Sequence, residues 1–290
     1  MGTHQDLSPR LYNRKRQTHY HTKYPARAMS GDRWTGWRRQ HWRGLAAGAL
    51  TVLLLAAVPA AAGPPFRTDD PEPVEFQNLE INLHALGTKA EMGSSGVLPG
   101  LEVNYGAMPD LQLHAIVPMN YTAPVDGRTG FAMGDIELGA KFRFITPGED
   151  DWFPQVAVYP LIAVPSGNQN LGFSTGHTQV FLPLWLQKDF KPWTAYGGGG
   201  YWINPGVGRR NYVFFGAALW REVTENLKVG VEVFHQTSPD EIEKDSTGFN
   251  VGAIYGFADS WRVMSSVGMG LQNVSETNQL SWYLGLQRNF

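Results

Sequence analysis

Residues 278–290 read NQLSWYLGLQRNF. Leu280, Trp282, Leu284 and Leu286 fall at every second position, and Phe290 ends the chain in step with them. Ser281, Tyr283, Gly285, Gln287 and Asn289 fall between. A period of two places the two sets on opposite faces of a β-strand. One such strand also suits a soluble sandwich. Its recurrence along the chain, behind an export signal, points instead to an all-β fold, a transmembrane antiparallel β-barrel of the outer-membrane type.

The signal is the apolar run at 45–58, LAAGALTVLLLAAV. It falls short of the roughly 20 residues that a membrane-spanning helix needs. Arg38, Arg39 and Arg43 precede it and Pro59-Ala60-Ala61-Ala62 follow, the layout of a cleavable secretory leader. We expect cleavage after Ala62, with Met29 as an alternative start. The chain then divides into a leader at 1–62, a periplasmic arm at 63–76 and a barrel at 77–290. The first 62 residues hold 10 Lys and Arg against 2 Asp and Glu, out of 24 and 26 in the whole chain. The remainder is therefore acidic by about ten charges, which argues against a nucleic-acid partner and suits a cation-leaning lumen. There is no cysteine, so disulfides and thiolate metal sites are excluded.

The arm, GPPFRTDDPEPVE, has four prolines and four acids and no strand pattern. Asp69, Asp70 and Glu72 could form a cation site or a plug; the composition favours a solvated tether. Twelve strands follow, near 77–86, 98–107, 111–121, 133–145, 153–164, 177–188, 193–203, 211–221, 227–236, 247–257, 261–271 and 279–290. Short connections alternate with longer ones, at 87–97, 122–132, 165–176, 204–210, 237–246 and 272–278. An even count with short periplasmic turns puts both termini in the periplasm. Trp152, Phe153, Phe190, Trp193, Trp220, Phe257, Trp261 and Phe290 stand near the short turns, and Tyr121, Tyr201, Trp202 and Tyr212 near the long loops. They read as two interfacial girdles.

On the polar faces, Glu80, His84, Glu102, Asn104, His114, Asp135, Glu137, Lys141, Arg143, Lys228 and Glu232 are the candidate lumen residues. Their mixed signs fit either solute selection or structural ion pairs. His84 and His114 with Glu80 or Glu102 could bind a metal, but a hydrogen-bond network is the commoner use, and we assign no metal or cofactor. Phe181, Pro183 and Trp185 stand where polar groups are expected, lining a hydrophobic path or packing the interior. Gly197–Gly200 is no phosphate loop, since no Gly-Lys-Ser/Thr follows; it permits close packing against a large neighbour. No serine-histidine signature of a membrane phospholipase is present, so we read no enzyme.

The arm sequence, the strand after it and Leu138-Gly139 within DIELGAKFRF resemble a family of outer-membrane barrels associated with transport in the meta-pathway of phenol degradation. The resemblance implies a passive channel for small solutes, aromatic or otherwise apolar, in the outer membrane of a Gram-negative bacterium. Tyr283, Gly285 and Phe290 also resemble the terminal signal read by the barrel-assembly machinery, although Arg288 replaces the usual apolar residue. The expected partners are outer-membrane lipid, that machinery and a small solute. The alternative is a structural or surface-interaction barrel with a packed lumen.

Overall fold

A computed structural model of the chain describes residues 64–148 and 151–290. The leader, its cleavage point and the alternative start lie outside the described residues. The fold is a closed antiparallel barrel. Its strands are β1 (Leu79–Ala90), β2 (Gly93–Met108), β3 (Leu111–Pro124), β4 (Gly130–Met133), β5 (Ile136–Ile145), β6 (Gln155–Val158), β7 (Leu161–Val164), β8 (Gln179–Phe190), β9 (Trp193–Ile203), β10 (Tyr212–Thr224), β11 (Leu227–Gln236), β12 (Ser246–Ala258), β13 (Trp261–Gln272) and β14 (Leu280–Asn289). A single-turn helix, α1 (Val274–Thr277), precedes the last strand.

Fourteen segments make twelve staves. β4 and β5 both pair with β3 and are two halves of one strand, broken at Gly134-Asp135. β6 and β7 both pair β5 to β8 and are broken at Tyr159-Pro160. Pro160 has no N–H to give to a ladder, which is a sufficient reason for the second break. The sheet closes where β14 pairs with β1, from Glu80↔Asn289 to Lys89↔Leu280. The stretch that opened the sequence reading is thus the closing stave. Closure leaves no unpaired edge, as a lipid environment requires.

The two faces are inverted relative to a soluble protein. Leu83, Leu101, Leu113, Leu138, Leu184, Val231, Val251 and Leu284 point outward and are exposed. Glu80, Asn82, Glu102, Asn104, Gln112 and Gln287 point inward and are buried. A girdling apolar surface around a polar interior is stable in hydrocarbon and not in water.

Three sequence expectations are corrected. The 87–97 segment is not a long loop: β1 and β2 continue to a two-residue connection at 91–92. Here the apolar alternation gives way to small residues, with Gly87 opposite Gly96 and Thr88 opposite Ser95. Trp202, Tyr212 and Trp220 do not belong to the girdles; they are buried inside. Tyr201, Phe153, Phe190, Phe257 and Phe290 are exposed on the outside. Finally, the arm is no solvated tether. Phe66, Thr68, Asp69, Asp70, Glu72 and Val74 are all buried within the barrel.

Candidate functional site

The arm enters beside β2 and crosses the lumen. Three inner-face glycines show how closely it fits. A methyl group at Gly106 would lie 1.9 Å from the Glu75 carbonyl oxygen, one at Gly216 would lie 2.1 Å from Thr68 Oγ1, and one at Gly252 would lie 2.7 Å from the Phe66 ring. These strands are notched where the arm passes.

Polar groups on the wall hold it at intervals. Val74 N–H donates to Gln112 Oε1 at 3.0 Å. Glu72 Oε1 accepts from Gln155 Nε2 at 3.1 Å and from Gln187 Nε2 at 2.9 Å. Lys141 Nζ donates to Asp69 Oδ1 at 2.8 Å and lies 3.6 Å from Asp70 Oδ1, with all three side chains fully buried. The same ammonium stands 4.9 Å from the centre of the Tyr159 ring. On the far wall Thr68 Oγ1 donates to Glu232 Oε1 at 2.6 Å, and Asn250 Nδ2 donates to the other oxygen at 2.6 Å. Phe66 stacks on Trp220 at 4.6 Å, and Ser266 Oγ donates to the Pro65 carbonyl at 2.7 Å. Buried charges of this kind persist only when paired and hydrogen-bonded.

Beside the arm, β1–β3 carry a network of carboxylates and amides. Asn104 Nδ2 donates to Glu102 at 2.6 Å and to Glu80 at 3.1 Å. Asn82 Nδ2 donates to Glu102 at 3.1 Å and to the Tyr283 hydroxyl at 2.9 Å. His114 Nδ1 lies 2.7 Å from Asn104 Oδ1, and its Nε2 lies 3.9 Å from Glu137. His84 stacks on Tyr283. Among the described residues no three His, Asp or Glu side chains converge as metal ligands. Two candidates stand apart from this group at the short-turn rim: Arg143 pairs with Asp110 at 2.6 Å and Lys228 with Glu222 at 3.2 Å.

The opposite wall is aromatic. Phe181 stacks on Trp202 at 4.7 Å, and Trp202 on Tyr212 at 5.7 Å. Trp185 meets Phe181 and Phe214 edge-on, and Phe214 stacks on Phe234. Gly198 and Gly200 give Trp185 and Phe181 their room: a Cβ there would meet those rings at 3.0 and 2.7 Å. The sequence reading missed Trp202, Tyr212, Phe214 and Phe234. For β10 the available signal was the shared parity of Tyr212, Phe214 and Trp220, obscured because the other face of that strand is apolar as well.

Between the walls lies a cavity of about 340 Å³, open toward the long loops and floored by Phe66 and Arg67 of the arm. Arg67 donates to Gln236 at 2.7 Å and lies over the Phe234 and Phe214 rings. At the mouth the loop carrying Pro239 and Glu243 is tied to its neighbour: Asn204 Nδ2 donates to the carbonyls of Arg210 and Pro239. Burial, reinforced by Asp240 and opposed by Arg209, raises the Glu243 carboxyl to about 8.

This architecture is that of outer-membrane barrels. The fold is similar to the COG4313 outer membrane channel from Pseudomonas putida F1, at TM-score 0.64 and 14% identity, over 76% of this chain and 98% of that one. It is similar to the KdgM porin at TM-score 0.51 and 12% identity, over 73% and 99%. The NanC porin gives TM-score 0.51 and 10% identity, over 72% and 98%. These neighbours are channels and porins rather than enzymes. No protein-family model and no curated relative matches the chain in sequence.

Proposed function

We propose that the chain is a passive channel of the Gram-negative outer membrane, with residues 64–75 setting the bore and an aromatic wall guiding small apolar or aromatic solutes. The observation that carries the reading is the pairing of a seated arm with a continuous inner-face ladder from Phe181 through Trp202 and Tyr212. An interior that only filled space would not require a cavity of about 340 Å³, which Tyr212 at the end of that ladder and Phe234 help to line. The fold neighbours, named as outer-membrane channel and porins, support the class and the compartment. A solute class drawn from phenol degradation rests on the sequence resemblance together with the aromatic wall.

The lumen candidates take two roles in this reading. Lys141 and Glu232 hold the arm, while Glu80, His84, Glu102, Asn104 and His114 form the polar wall that shapes the passage. Tyr283, Gly285 and Phe290 are proposed as the segment read by the assembly machinery. A second reading, a packed barrel whose loops carry the function, draws support from the burial of the arm.

Single-channel conductance of the purified protein in a planar bilayer tests both, with uptake of an aromatic solute into proteoliposomes beside it. The channel reading expects measurable uptake, with small current steps that grow when residues 64–75 are deleted. Silence and no uptake, with and without the arm, would leave the packed barrel.

A further inference from the structure

Asp135 lies in the break between β4 and β5 and is 6% exposed. Its Oδ1 accepts the Gly167 N–H at 3.0 Å. Its Oδ2 is buried with no hydrogen-bond partner. An orphaned carboxylate oxygen is costly and calls for a donor. Asp135 lines the cavity, and so does Glu137, two residues further on.

The basic groups lining the cavity are occupied elsewhere. The Arg67 guanidinium lies over two rings and bonds Gln236, Arg209 faces Glu243, and Lys244 pairs with Glu276. The wall near Asp135 is therefore negative. Next to it runs a buried apolar strip. Leu86 pairs with Val97 across β1 and β2, and Ile116 stands opposite Glu137 across β3 and β5. All three apolar side chains are buried and line the same cavity.

We infer that this cavity takes a small organic ammonium, a protonated amine on a compact apolar body, with its nitrogen at Asp135 and its body on Leu86, Val97 and Ile116. The inference rests on the channel reading and narrows its solute class. An ammonium supplies the donors that Asp135 lacks, and charge-assisted bonds of this kind are the stronger ones. A bare metal ion is a poorer fit, because no three-ligand set exists among the described residues. An anion would meet the acidic wall, and a polyol would waste the apolar strip.

The test is calorimetry on the protein extracted from outer membranes in detergent, with three probes of similar shape: phenethylamine, 2-phenylethanol and 3-phenylpropionate. The amine is expected to bind at least about tenfold more tightly than the alcohol, and the acid most weakly. Asp135→Asn should remove that advantage while leaving the alcohol unchanged. Ile116→Phe, which fills the strip, should weaken amine and alcohol alike and serves if the Asp135 variant does not fold. Equal binding of amine and alcohol, tighter binding of the acid, or no amine binding overturns the inference. Conductance and aromatic uptake on the same preparation report separately whether the channel reading stands.

Discussion

The inner faces of β1–β3 and of β8–β11 lie behind similar lipid-facing surfaces yet hold opposite chemistry. The first carries Glu80, Asn82, Glu102, Asn104, Gln112 and His114; the second carries Phe181, Trp185, Trp202, Tyr212, Phe214 and Phe234. A twelve-stave barrel lies between one small enough for side chains to fill and one wide enough for a water channel. Here the aromatic wall fills its own half with rings, while the polar wall is cross-linked by amides. The arm spans the difference. Its acids meet Lys141, Gln155 and Gln187, and its Phe66 joins an apolar cluster with Trp220, Ile254 and Met264. Inner-face composition therefore divides the lumen into an anchoring side and a greasy side without changing the outside.

The comparison breaks most readily at Lys141. Replacing it by Met removes the ammonium that Asp69 and Asp70 face, and losing one partner of a buried ion pair costs about 3–5 kcal/mol. The arm should leave its seat, seen as larger conductance steps and new protease sensitivity within residues 64–75, while the barrel stays heat-modifiable on gels. Neutralising both acids as well, in K141M/D69N/D70N, should reseat it. An unchanged conductance in K141M would mean that the lysine does not hold the arm.

A milder perturbation is Gly252→Val, which pushes a side chain into Phe66. Overpacking of this kind costs about 1–3 kcal/mol, so we expect partial release: flickering current steps rather than a steady larger bore. The greasy side is sharpened by Trp202→Leu, which breaks the stack between Phe181 and Tyr212. Aromatic uptake should fall several-fold with potassium conductance little changed; equal loss of both would deny the wall its separate role.

The smallest effect belongs to the mouth. Glu243 titrates near 8 in the fold, above its ordinary value of 4.5. A raised carboxyl contributes stability that is full below 4.5 and lost as the pH passes through 8. Corrected for intrinsic base catalysis, hydrogen exchange in residues 237–245 should therefore accelerate as the pH rises from about 4.5 to about 8, and Glu243→Gln should flatten that dependence. A wild-type profile without the step would remove Glu243 from the account.

Much of the barrel was legible from alternation. Leu79, Ile81 and Leu83 against Glu80, Asn82 and His84 assign the faces of β1, because lipid and lumen demand opposite residues at successive positions. The rule goes silent where both faces are apolar. On β10, Val213, Phe215 and Leu219 oppose Tyr212, Phe214 and Trp220, so position along the strand suggested girdle residues where parity would have placed them inside. The arm was illegible for another reason. Four prolines and four acids look the same in water as in a socket, because the partners that make burial tolerable, Lys141 for Asp69, Gln187 for Glu72 and Glu232 for Thr68, are 72 to 164 residues away. The pairing at 87–97 was illegible because its facing residues, Gly87 with Gly96 and Thr88 with Ser95, carry no apolar alternation.

The course of the arm also settles where a probe belongs. Pro64 and Pro65 line the cavity, so a fluorophore attached at either position would take up volume that a solute would use. One joined after Phe290 extends the stave that seals the wall. The exposed connection at 125–129, with Val125 at 72% exposure, is free of both, and a label there would report on the molecule without changing it.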